Sequence, residues 1–361
     1  MTATPSIQSR TSSETAESHS KVPALVEYPE RATVLNLAAE QAASVDADEA
    51  SPFETLRRLG ELGLLTKGRH GSLLPQAAVI YDLATECMST AFSLWAHRST
   101  ITFFDAVGRS LPDGLADGSV SGSTAMAAAF KDAAGVGNIA VTAEPTEDGY
   151  VLNGVIPWAS NLYPHGVAVL PVVTAEGHKL IVTVRTEAAG FDVKPMKNLL
   201  ALDATASGFT KVTDVHVPSE DVLSDDVPGF LASVSAPFLL MQASFCLGLS
   251  AAALTSAQEY RDSSNGVFRE DFDRREQEFR ELSEEVIRLA EDPAAAGRLE
   301  VLKARLNAAH LAQAAAHLEL TVVGGRGYVA TSATARRFRE ASFLPVQSPT
   351  EGHLRSEIRR G

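Results

Sequence analysis

Cysteine is scarce: only Cys87 and Cys246 occur in 361 residues, far apart and each in an apolar stretch. That excludes a disulfide scaffold or a cysteine-built metal site and fits a reducing, cytoplasmic setting. Histidines such as His310 and His317 are not at ligand spacing with carboxylates, so no metal is expected. Positive charge is also short. Thirty-one Lys and Arg stand against 45 Asp and Glu, giving a formal −14 that argues against a general nucleic-acid binder. No segment approaches twenty uninterrupted apolar residues, so no membrane span is expected. Residues 1–27 lack a hydrophobic signal core and are rich in Ser, Thr and Glu, which reads as a disordered tail.

What is present is an ordinary apolar fraction of 45% and enough length to bury a large core in two or three units. The first unit, 28–117, is expected to be helical. Apolar residues at 34, 35, 38, 42 and 45 keep helical spacing, and Ser51-Pro52-Phe53-Glu54 has the form of a capping box with proline at the first helical position. Two more apolar helices are expected over 76–87 and 90–104. From 118 to 222 the pattern turns to period two with β-branched runs, which predicts an all-β barrel or sandwich with strands near 139–143, 150–154, 167–173, 180–185 and 210–217. From 223 to 361 long helices return, over 238–261, 274–291, 301–323 and 334–341. Alanines at 308, 309, 312, 315 and 316 permit the close approach of a four-helix bundle and a subunit interface. A helix-free span of roughly a hundred residues in the middle speaks against a doubly wound α/β fold.

Two stretches, 135–140 and 325–330, match G-x-G-x-x-A. Neither lies between a strand and a helix N-terminus, so neither supports a Rossmann site. Trp158-Ala159-Ser160-Asn161 is more specific. An indole plate can lie on a planar ring, and a hydroxyl two residues on can donate to a ring nitrogen. The competing reading is a core tryptophan beside a turn. Gly324, Gly325 and Gly327, after a long helix, mark a place where backbone passes close to something, and the arginines that follow suit an anionic ligand.

Taken in order, these motifs resemble the flavin-dependent acyl-CoA dehydrogenases. Glu61-Leu62-Gly63-Leu64-Leu65, Asp148 to Gly154, the Trp158–Asn161 segment, Val215-His216-Val217-Pro218, and Gly324-Gly325-x-Gly327-Tyr328 with Arg336 and Arg339 carry the resemblance over most of 30–361. It implies an α+β fold: an N-terminal helical domain, a central β-barrel or sandwich and a C-terminal four-helix bundle. It also implies FAD (with FMN as a variant) held by Trp158, Ser160, Asn161, Gly324, Gly325, Gly327 and Arg336. Glu351 would be the base that takes the α-proton of an acyl thioester while hydride leaves for the flavin. The implied assembly is a homodimer or homotetramer, with an electron-transfer flavoprotein or a flavin reductase as redox partner.

The same fold includes flavin monooxygenases that use reduced flavin and oxygen on a small aromatic or amine substrate. There His97 or His353 would be the functional histidine, although a lone histidine on an apolar face is commonly a packing residue. The stretch 124–135 is alanine-rich and poor in hydroxyl donors, which leaves room for a third reading, a cofactor-poor binding or scaffold relative.

Overall fold

Apolar stripes at helical spacing build the first layer. In the computed structural model, which describes residues 22–361, α1 spans Arg31–Asp46 and buries Val34, Leu35, Ala38, Ala42 and Val45, the positions the spacing selects. Most of the expected tail lies outside the described residues. Its last part does not behave as a tail: Val22 and Leu25 are buried, and Tyr81 donates to the Pro23 carbonyl at 2.8 Å. Helix α2, Pro52–Glu61, starts on half of the expected box. The Ser51 hydroxyl accepts from the Phe53 amide at 3.2 Å, while the Glu54 carboxylate turns to Arg57. Helices α3 (Leu74–Glu86) and α4 (Met88–Ala106) are joined at the extended residue Cys87 and are buried almost all round.

The middle of the chain forms one mixed sheet: β1 Gly122–Thr124, β2 Val141–Pro145, β3 Gly149–Ala159, β4 Val167–Val173, β5 Lys179–Arg185, β6 Phe191–Pro195, β7 Gly208–Pro218 and β8 Val222–Ser224. The strand order is β6-β7-β3-β2-β4-β5-β8, with β1 parallel to β4. The sheet curls around its own apolar core, where Leu152, Leu170, Val182, Val212 and Val215 meet. Gly154, at φ +144, sits opposite Val141 in the antiparallel β2–β3 pair, where a Cβ would fall 2.3 Å from the Ala140 carbonyl oxygen. The region is not all β: α5, Ala127–Ala133, breaks it where the alanine run gives helix propensity without a strand pattern.

Five helices follow: α6 Val227–Gln258, α7 Arg269–Glu291, α8 Arg298–Val323, α9 Ala333–Phe343 and α10 Glu351–Arg360. Helices α6 to α9 pack together and α10 lies on α8. Helix α6 was expected to start at 238, after Pro237, yet it runs through that proline from a cap at Asp226, whose carboxylate accepts from the Gly229 amide at 3.0 Å. It is long and apolar enough to span a membrane, but it packs against α3, α4 and α8 as the central helix of the fold. Beyond the helices expected from the sequence, the chain ends in α10, capped by Thr350, whose side chain accepts from the His353 amide.

A buried carboxyl joins α9 to the first layer. Glu340 accepts from the Met88 amide at 3.2 Å, and burial pushes its carboxyl up to about 7 despite the nearby Arg336 guanidinium. A carboxyl raised on folding favours the folded state fully below its unfolded value, near 4.3, and loses that contribution as pH rises to about 7. Glu340→Gln keeps an acceptor without the charge. Its melting temperature should therefore exceed wild type at pH 8, by the equivalent of on the order of a few kcal/mol, with the difference closing toward pH 4. Thermal unfolding at both pH values checks this; an equal offset at both would overturn it.

Candidate functional site

Strand β3 emerges from the sheet at Ala159 and presents Trp158 at the mouth of a cavity of about 470 Å³ between the sheet, α4, α6 and α9. Trp158 is 52% exposed, so the reading of a core tryptophan fails and its ring is open to a ligand. Ser160 follows on the same wall and closes a bridge with Thr124 of β1.

The hydroxyls here have a defined polarity. Thr205 donates to the Leu202 carbonyl at 2.8 Å, so its neighbour Ser207, 2.8 Å away, must donate to Thr205. Ser160, 2.9 Å from Ser207, then donates inward to it. One proton per hydroxyl leaves Ser160 as an acceptor toward the cavity. Thr124 Oγ1, on the same lining, is buried without a partner.

Asn161 does not line this cavity. It takes a left-handed backbone at φ +60, and its amide donates to the Ser93 and Gly122 carbonyls, pinning the end of β3 to α4 and β1. It is a positioning residue.

The opposite wall is aromatic. Trp95 stacks on Phe92 at 5.0 Å, meets Phe238 edge-on at 4.8 Å and donates its indole N–H to the Phe238 carbonyl at 3.1 Å. Phe343 adds an edge to Phe92 at 5.2 Å. Beside them Gln347, Ser348 and Thr350 enter from the α9–α10 connection, and among the described residues Lys131 and Arg339 are the charged ones on the lining. No Asp or Glu lines the cavity among the described residues.

Glu351 is one residue beyond this wall and faces away from it. It begins α10, where its charge suits the helix N-terminus, and it pairs with His310 at 3.2 Å and Arg355 at 2.6 Å. Partial burial alone would raise its carboxyl; the hydrogen bonds and charges of His310 and Arg355 outweigh that and hold it below the usual carboxylate value. A base for an α-proton needs the opposite setting.

The histidines are also elsewhere. His97 is fully buried with both ring nitrogens committed: Nε2 to the Leu115 carbonyl at 2.9 Å, and Nδ1 accepting from the Gly122 amide at 3.0 Å. Burial pushes it down to about 4, so it is a neutral packing residue. His353 is buried on α10 and does not line the cavity; it lies 3.8 Å from Glu357, and neither ring nitrogen has a hydrogen-bond partner.

The glycine segment lies outside the cavity. Gly324 ends α8 at φ +66, and a Cβ on Gly324 or Gly325 would meet nothing, whereas one on Gly327 would fall 2.8 Å from Thr334. Tyr328 beside them is 81% exposed. Arg336 does not offer its charge to solvent: its Nη2 donates to the Glu86 carbonyl at 2.7 Å at the end of α3. Sequence reasoning missed Thr124, Ser207, Gln347 and Ser348, none of which belongs to a recognisable motif.

The helical domain, curled sheet and C-terminal bundle, with a tryptophan-walled cavity at their junction, define the acyl-CoA dehydrogenase fold, and the resemblance read from the motifs holds. The chain is 23% identical to a probable acyl-CoA dehydrogenase of Bacillus subtilis over 89% of its own length and 91% of that protein. It is 23% identical to the mitochondrial short-chain specific acyl-CoA dehydrogenase of Sus scrofa over 88% of its length and 83% of that protein. A glutaryl-CoA dehydrogenase from Mycobacterium smegmatis, solved in complex with FADH2, superposes with a TM-score of 0.78 at 18% identity, covering 93% of this chain and 95% of that one. No family model matches the sequence.

Proposed function

We propose that the protein is an FAD-dependent oxidoreductase of the acyl-CoA dehydrogenase type whose cavity holds the flavin ring against Trp158 and works without a protein carboxylate as base. The carrying observation is that cavity: an open indole on one wall, aromatics on the other and no acid between them. The residues suit the group. Thr124 Oγ1 is an orphaned buried polar atom on the lining, and Trp158 offers a free apolar plate. When bound, FAD supplies the redox step, by accepting hydride or by passing electrons on to oxygen.

What the chain itself does favours the second use. Ser160, its proton directed to Ser207, would accept from an N–H of the ring, which the reduced ring carries at its reactive nitrogen. The aromatic wall excludes water and gives a small flat substrate its contact surface. The function supported best is therefore oxygenation of a small aromatic compound with reduced flavin, supplied by a flavin reductase. A purified protein that tightens on FAD after reduction and then consumes oxygen with a phenolic substrate is the expected result. A stably yellow protein that reduces with acyl-CoA under anaerobic conditions would overturn it.

The second reading, α,β-dehydrogenation of an acyl thioester, is favoured by the relatives' names and requires Glu351 to leave His310 and Arg355. Glu351→Gln separates the two. Turnover with FAD is expected to stay within about twofold of wild type, because the side chain is held outside the cavity. A loss of a hundredfold or more in steady-state kcat would restore Glu351 as base.

A further inference from the structure

Behind the cavity wall lies a cation without a counter-charge. Arg305, in the middle of α8, is fully buried, and no carboxylate pairs with it among the described residues. Its neighbours are neutral: Nε donates to Gln242 Oε1 at 2.7 Å and Nη2 to Gln347 Oε1 at 2.9 Å. Burying a guanidinium with no counter-charge is costly, so the neutral oxygens it meets are strongly polarised by it.

The arrangement transmits this charge to the cavity. A guanidinium only donates, so each glutamine must turn its oxygen toward Arg305 and its NH2 away from it. The Gln242 amide is then used on the Ser348 carbonyl at 3.0 Å, which fixes the backbone that carries Ser348. The Gln347 amide nitrogen is left buried with no partner, and so is the Ser348 hydroxyl; both residues line the cavity. Two adjacent unpaired donors, polarised by a cation behind them, make a receptor for oxygen that bears negative charge. The aromatic set Phe92, Trp95, Phe238 and Phe343 lines the same cavity, so a ring carrying that oxygen meets apolar faces.

We propose that Gln347 and Ser348, charged through Arg305, form the subsite for an anionic oxygen on a flat substrate, a phenolate or a similar ring-borne oxyanion. This deepens the proposed function and rests on it for the substrate's role. The same chemistry could instead serve an oxygen of the flavin ring, and the test separates these sources.

The probe is 4-nitrophenol, whose visible band reports its ionisation, titrated into the full-length protein with and without FAD. Wild type is expected to prefer the ionised form, lowering the probe's apparent pKa by about one unit, a tenfold preference. Gln347→Glu supplies Arg305 with a carboxylate, so the variant should fold while losing roughly tenfold or more in nitrophenolate affinity. Ser348→Ala should lose several-fold. FAD affinity, read by flavin fluorescence, should fall by a much smaller factor than nitrophenolate affinity in both variants.

Equal binding of neutral and ionised probe, or an unaltered Gln347→Glu variant of wild-type melting temperature, would overturn the proposal. So would a loss of FAD affinity matching the loss of nitrophenolate, which would assign the donors to the cofactor. Nitrophenolate binding without any FAD binding would sink the proposed function while leaving the subsite standing.

Discussion

Glu319→Ala should lower stability by about 3–5 kcal/mol and the melting temperature by roughly 4–7 °C. Glu319 is fully buried on α8 and accepts from the Thr334 hydroxyl at 2.8 Å and from Arg337 Nε at 2.8 Å, with a second contact from Arg337 Nη2. These bonds tie α9 to α8, and α9 in turn carries Arg339 and Phe343 to the cavity. Removing the carboxylate leaves the largely buried Arg337 charge without a partner, and that desolvation dominates the cost. The double variant Glu319→Leu with Arg337→Met should recover most of the loss, because an apolar pair of similar volume needs no compensation. Thermal unfolding of both variants checks the point; equal losses would show that packing rather than charge sets the cost.

Most of the architecture could be read from one-dimensional pattern, because helical spacing at 34–45 and strand alternation at 210–217 record which face is buried. Helix α5 escaped because an alanine run has no period to read, and α6 was cut short at Pro237, a residue tertiary packing overrode. The cavity was legible only where one local segment builds it. Trp158 and Ser160 sit two residues apart at a strand end, so their shared wall follows from local geometry.

The other assignments depended on distant partners. His97 is neutralised as a candidate by backbone groups of residues 115 and 122. Glu351 is drawn off by His310, 41 positions earlier, although Thr350 with an acid in the next position was a readable helix start. The Arg305–Gln347 contact spans 42 positions and belongs to no motif, so nothing short of the folded chain brings it together.

Trp158→Ala should weaken FAD binding roughly tenfold to a hundredfold, the range that loss of an aromatic stacking partner produces. The argument rests on exposure. A buried tryptophan would be held by its own core, and its removal would unfold the domain; Trp158 is half exposed and heads no hydrogen bond among those described. Its stability cost should accordingly be small, within about 1 kcal/mol, so the binding loss is readable on a folded protein. Phe at the same position keeps a ring of smaller area and should fall between the two. Flavin fluorescence titration and thermal unfolding of the same samples make the measurement. A full loss of FAD affinity accompanied by an equal fall in melting temperature would assign Trp158 to the fold. Unchanged affinity would move the flavin ring to another wall of the cavity, where only the Phe92, Trp95, Phe238 and Phe343 set offers comparable aromatic area.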